Sequence, residues 1–351
     1  MTTTVIKSIG TSGRDYSTLA LWAAAIPVNL VTADQVWVGE CYNDSEFTAG
    51  VTISGLTTDA TRYAQLTAAS GQSFQDNASV RTNPLVYDQS KGVGIKPTSP
   101  NKAIFVNNAA NTQITRLQVF RTNAGYDASL VQFASSGGCT IKDCIIGMDG
   151  VANSATSYEL DLGAGTAINL LVYDKTSSGN SKAVGVSGGF VFYNCTIVNG
   201  RGSAQGTGID LVYGSGGIQS TAVFGWTTAV AGTSVNFGDY NATDAGSFPG
   251  GGSHNQVSKT YANQFTSTTG DWSLKSGSDC IAHGNTDATK APKDITNFTR
   301  ASGTGGSIGA WEFASAGTLL KANNVVTASI SKLDLVSYAS VKSANGLTTG
   351  N

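Results

Sequence analysis

Two stretches fifty-one residues apart repeat one pattern: Thr140-Ile141-Lys142-Asp143-Cys144-Ile145-Ile146 matches Val191-Phe192-Tyr193-Asn194-Cys195-Thr196-Ile197 position for position. In each, apolar and polar residues alternate as in a strand, an Asp or Asn follows, and the chain resumes with Cys and further β-formers. Alternation of period two puts one face of each segment inward. Asp and Asn are the residues that most readily bend a chain sharply without glycine. A strand, a one- or two-residue bend and another strand is the unit of a coil, and each coil of a parallel β-helix takes roughly 20 to 30 residues. Neighbouring coils then pair along their length at about 4.8 Å.

Short β-forming segments divided by Gly or Asn turns fill the chain from Asp34 onward, among them Ala103-Val106, Ile114-Phe120, Leu130-Phe133, Ala167-Val172, Gly208-Tyr213 and Thr221-Phe224. A sandwich or jelly roll would show Asn-Gly or Asp-Gly hairpin signals between matched strands. Asp149-Gly150 and Asn199-Gly200 are the main examples here. The expected fold is therefore all-β, a right-handed parallel β-helix with a short N-terminal capping helix and an extended C-terminal arm. The expected divisions are 1–33 for the cap, 34–313 for the body and 314–351 for the arm. The helix starts at Ser17 or Thr18, places Leu19, Trp22, Ala23 and Ile26 on one face and stops at Pro27.

Composition agrees with this reading. Charged residues are only 13% of the 351, while 43 are glycine, so hydroxyls and amides supply the polar surface. The formal net charge of −2, without a basic run, argues against nucleic-acid phosphates as partners. A membrane partner is not expected either, since no window approaches the roughly 20 apolar residues of a span and no export signal opens the sequence. Five cysteines, without a Cys-x-x-Cys pair, read as small core residues rather than zinc ligands.

Candidate chemistry is sparse. Glu159 and Asp161 are the best acid pair for cleaving a glycosidic bond, being two apart on one strand. The expectation is nevertheless a solvated strand face, with Leu160 and Leu162 inward. Acids are too scattered for a calcium cluster, and His254 and His283, the two histidines, read as separate surface-loop residues. The glycine runs Gly214-Gly217 and Pro249-Gly252 lack the Gly-Lys-Ser/Thr of a phosphate loop. No catalytic residue, cofactor or metal is assigned. Tyr42, Phe47, Tyr87, Tyr126, Tyr158, Tyr173 and Tyr213 would stack on sugars if several lined a groove.

At the C-terminus, Ala328-Val336 and Ala339-Leu347 are two copies of one amphipathic peptide, too poor in apolar surface to fold alone. Its apolar positions Ile330, Leu333, Val336, Val341 and Leu347 are the expected interface residues, docking by strand addition or groove insertion.

Several segments together resemble right-handed β-helix virion structural proteins of tailed bacteriophages: Ile9-Trp22 as the cap, Leu56-Ala69 after it, then Asp271-Gly284, Asp294-Thr296 and Ser307-Glu312 as the closing part, and the Ile-Ser-Lys tail repeat. The resemblance implies a virion protein assembled in a host cytoplasm. It further implies a homotrimer that decorates or cements the shell by binding the major capsid protein through the arm. The alternative that it implies is a tailspike-like receptor-binding protein that cleaves host surface polysaccharide.

Overall fold

The computed structural model describes residues 2–98, 102–122, 129–134, 137–150, 158–176, 181–211, 214–232 and 235–314. The interface positions Ile330, Leu333, Val336, Val341 and Leu347 lie outside the described residues.

The chain winds through three all-parallel sheets, visited in the order A, B, C on each turn from Ala64 onward. Face A has nine strands: Thr3–Ile9, Gln35–Cys41, Ala64–Ala68, Gln113–Thr115, Cys139–Lys142, Gly165–Ile168, Phe190–Tyr193, Gly216–Gln219 and Val235–Asp239. Face B has seven: Gly94–Ile95, Gln118–Arg121, Ile145–Gly150, Leu171–Thr176, Thr196–Asn199, Ala222–Phe224 and Ala242–Thr243. Face C has seven: Val51–Leu56, Ile104–Ala109, Val131–Ala134, Tyr158–Leu162, Lys182–Val186, Thr207–Asp210 and Thr228–Ala231. This is a right-handed parallel β-helix.

Side chains stack in ladders because each residue pairs with its counterpart one coil away. On face A, Leu66, Ile114, Ile141, Ala167, Phe192 and Ile218 form an inward column, and none exceeds 1% exposure. Val51, Ile104, Val131, Leu160, Val184 and Ile209 do the same on face C. Columns of this kind explain why the core tolerates β-branched and aromatic residues in any order: each meets only its neighbours above and below.

The bend between faces A and B is the feature that the repeat in the sequence encodes. Arg116, Asp143, Asn169, Asn194, Ser220 and Tyr240 each hold a left-handed backbone, φ between 51° and 61°. Each is the first of a two-residue connection. Asp and Asn bear this conformation more easily than most residues, and the next residue in each coil, Cys144 and Cys195 among them, is buried in the core. The matched stretches therefore occupy equivalent positions two coils apart, Ile141 over Ala167 over Phe192. All five cysteines are free and buried. Burial pushes the thiols of Cys144 and Cys195 up to about 12.

The N-terminal helix follows the sequence closely. Helix α1, Leu19–Ala24, is capped by the Thr18 hydroxyl, which accepts from the Leu21 N–H, and buries Leu19 and Trp22. A second short helix, α2 (Leu30–Ala33), is capped by Asn29. Trp22 lies so close to Gly39 that a Cβ there would stand 2.5 Å from the indole.

The coiled part differs from the expected 34–313 at both ends. It begins before Asp34, because Thr3–Ile9 pairs along its whole length with Gln35–Cys41. It ends near Thr243, after which the chain leaves the coil, forms antiparallel pairs at Phe265–Ser267 with Asp271–Leu274 and Gly284–Thr286 with Gly303–Gly306, and folds back over face B. The reason is apolar surface outside the coil. Tyr173, Val198 and Phe224 point outward from face B and would meet water; instead they pack with Phe265, Trp272, Leu274, Ile308 and Trp311 in a second core. Parallel sheets are stable when both faces are covered.

Candidate functional site

Face C has an outward column that runs Thr52, Phe105, Gln132, Asp161, Gly185, Asp210, Ala231. At about 4.8 Å per coil these seven positions span roughly 29 Å. The alternation that sends Leu160 and Leu162 into the core puts Asp161 on this outer row.

The middle of the row is built around Gly185. A Cβ there would meet the Tyr158 ring atoms at 2.6–2.7 Å, so the missing side chain makes room for the tyrosine to lie against the sheet. Around this half-buried ring stand Lys182, whose ammonium is 5.8 Å from the ring centroid, and Asp210, whose Oδ2 accepts from Lys182 Nζ at 2.6 Å and from the Tyr158 hydroxyl at 3.4 Å. Burial first, and Asp210 second, push the Tyr158 phenol up to about 12. On its other side Asp161 accepts from Gln132 Nε2 at 2.5 Å. Burial raises the Asp161 carboxyl above the usual range, with Lys102 and the Gln132 hydrogen bond acting against it. Further down the row, Lys102 Nζ sits 4.2 Å from the centroid of the Phe105 ring. The face thus offers aromatic faces at two points, with carboxylate, amide and ammonium groups between them.

Glu159 is not where the sequence places it. It is fully buried, neither of its carboxyl oxygens has a hydrogen-bond partner among the described residues, and it does not share the outer face with Asp161. Alternation breaks at this point: Glu159 and Leu160 are adjacent and both buried, although the strand stays in register with its neighbour, Tyr158 opposite Lys182 and Leu160 opposite Val184. The solvated acid pair expected from the sequence is therefore corrected to one outward Asp161 and one inward acid. Burial, then the charge of Asp174, raises the Glu159 carboxyl well above its ordinary value, and Arg121 and Arg201 oppose this. The Arg201 guanidinium is already engaged by Asp174 at 2.9 Å, Thr176 at 2.7 Å and Ser181 at 2.9 Å.

A raised folded-state pKa for an acid stabilises below the unfolded value, about 4.3, and that stability is lost as pH rises through the folded pKa. Glu159→Gln keeps the shape and removes the titration. Its melting temperature should exceed that of the parent at pH 8, and the gap should close toward pH 4; a constant gap would contradict the assignment.

The two histidines are closer than the sequence suggests. His254 and His283 line one recess of about 480 Å3 with Tyr240, Ser253, Gln256, Ala282 and Thr304. His254 Nδ1 is 2.8 Å from Asp239 Oδ2 and 3.4 Å from Ser253 Oγ. Because both partners share one ring nitrogen, the trio cannot relay a proton from the serine hydroxyl to the carboxylate through the two nitrogens of the ring. Of the tyrosines and phenylalanine considered for sugar stacking, Tyr158 alone among the described ones lies on the outer row of face C. Tyr173 is covered by Trp272, with ring centroids 4.5 Å apart, Tyr87 stacks on Phe120, Tyr42 lies under Arg14, and Phe47 is in the core. Tyr126 and Tyr213 lie outside the described residues.

No family model matches the sequence, and no curated protein matches it. Among solved structures the chain is similar in fold to pectate lyase Pel9A, at 11% identity and a TM-score of 0.40, over 90% of this chain and 97% of that one.

Proposed function

We propose that the protein is a polysaccharide-binding β-helix that holds an extended glycan along face C. The observation that carries this is the Tyr158 ring laid on Gly185 in a row of acids, amides and further aromatic surface. Sugar rings present C–H faces that pack on an aromatic face and hydroxyl edges that pair with carboxylates and amides. A row about six coil steps long, roughly 29 Å, suits a polymer lying along the stack rather than a single small molecule.

The test is binding of a panel of capsular and lipopolysaccharide glycans by calorimetry. Tyr158→Ala should weaken binding at least tenfold, and Gly185→Val, which displaces the ring, should do the same with the fold retained. Equal affinity in both variants would overturn the reading. Asp161 and Asp210 favour a second reading, cleavage, because they stand on one column with one coil between them. That places their backbones about 10 Å apart, near the upper end of the roughly 6.5–9.5 Å between carboxyls in inverting glycosidases. Oligosaccharides released by the parent but not by Asp161→Asn would move the assignment from binding to hydrolysis, the activity of a tailspike-like receptor-binding protein.

The setting we propose comes from the sequence resemblance to phage virion proteins: a homotrimeric capsid decoration protein, attached to the major capsid protein through 314–351 and its residues Ile330, Leu333, Val336, Val341 and Leu347. Particles assembled with a chain lacking 317–351 should fail to incorporate it, whereas normal incorporation would end that assignment.

A further inference from the structure

We propose that the recess between the last coil and the fold-back segment is a binding site for a borderline divalent metal ion of the zinc, nickel or copper class, held by His254 and His283. The two imidazoles come from different parts of the chain. His254 follows the final strand of face A, and His283 immediately precedes the strand Gly284–Thr286 of the segment that returns over face B. They are the two histidines of the whole sequence, and both line the same recess of about 480 Å3.

What distinguishes His254 from a surface histidine is how it is held. Asp239 Oδ2 takes its Nδ1 at 2.8 Å, and the Tyr240 ring stacks on the imidazole with centroids 4.4 Å apart and planes within 4°. Asp239 is itself fixed by the backbone N–H groups of Tyr240 and His254, each at 2.9 Å. A carboxylate on one ring nitrogen sets the tautomer, leaves Nε2 with a free lone pair and raises its basicity, which is the arrangement found behind metal-bound histidines. Imidazole favours zinc, nickel and copper over magnesium and calcium. Among the described residues no three His, Cys, Asp or Glu side chains form a ready ligand set. Water and the side-chain oxygens of Gln256 and Thr304, which line the recess, complete the coordination. An exposed His283 is free to swing toward the ion. Bound there, the ion ties the end of the coil to the segment that covers face B.

The experiment uses the full chain. Titration with Zn2+ in a non-coordinating buffer should show one equivalent bound and a melting temperature that rises to saturation, with Mg2+ giving neither. His254→Ala and His283→Ala should each lose the rise, while Asp239→Asn should bind at least tenfold more weakly. Absence of Zn2+ binding, or one-equivalent binding that survives in the His254→Ala/His283→Ala double variant, would overturn the proposal. Histidine variants that melt like the parent without metal show that the loss concerns the ion and not the fold.

Discussion

Trp272→Ala is expected to destabilise the protein by about 3–5 kcal/mol, the range for truncating a buried tryptophan. Trp272 has no exposed surface. Its ring stacks on Tyr173, its Nε1 donates to the Tyr261 hydroxyl at 3.0 Å, and that hydroxyl in turn donates to the Asn199 carbonyl at 2.9 Å. The indole thus connects the fold-back segment to two strands of face B. Its loss leaves a cavity against Tyr173 and takes from the Tyr261 hydroxyl the donor it accepts from. Urea unfolding followed by tryptophan fluorescence and circular dichroism tests this. If the fold-back segment opens before the coil, fluorescence changes at lower urea than circular dichroism, and both midpoints fall in the variant. An unchanged midpoint would mean that the second core does not hold the segment.

The second large effect is expected at Arg300, whose side chain is completely buried. Its guanidinium donates to the carbonyls of Gly309 and Ala310 at 2.8 Å, to Asn169 Oδ1 at 3.1 Å and to Glu312 Oε2 at 3.3 Å. One side chain therefore joins a bend residue of the coil to the closing segment. Arg300→Met should cost roughly 3–5 kcal/mol, because removing one partner strands the other charge in the interior. Glu312 and Asp143 are the acids left behind. Burial already raises both, Asp143 to about 6, and Arg300 is among the charges that oppose this. Without Arg300 their folded-state values rise further, so the variant should lose more stability at pH 8 than at pH 5, where protonation relieves the stranded charge. Chemical denaturation at the two pH values gives the comparison. An equal loss at both would assign the effect to the hydrogen bonds alone.

The coil was legible in the sequence because it is periodic. Asp143-Cys144 and Asn194-Cys195 mark the same bend two coils apart, and the flanking alternation names which residues go inward. Thr18 and Leu19 likewise announce the cap by local chemistry. What the sequence hid is whatever depends on which distant segments meet. The segment beyond Thr243 has no periodic partner, so its place over face B follows only from the outward aromatic residues Tyr173 and Phe224, which read in one dimension as ordinary strand residues. His254 and His283 converge for the same reason. Glu159 was misplaced because it and its neighbour Leu160 are both buried, against strict alternation. The row of face C was invisible because its members come from seven separate coils, and Gly185 matters by lacking a side chain.

The connections around the coil are unequal in a way that bears on how such a molecule can change. Between faces A and B the link is two residues at six successive turns, whereas the six links from face B to face C range from three to nine residues. An inserted residue at the short bend would turn the side chains of the following face B strand to the wrong side of the sheet. Added length on the other link is absorbed beside the outer row of face C at little cost, since the entropy cost of loop closure grows only with the logarithm of length. Descendants of this chain can thus change the loops along one border of face C while the stack beneath keeps its registration, so that border can vary without renewed selection for folding.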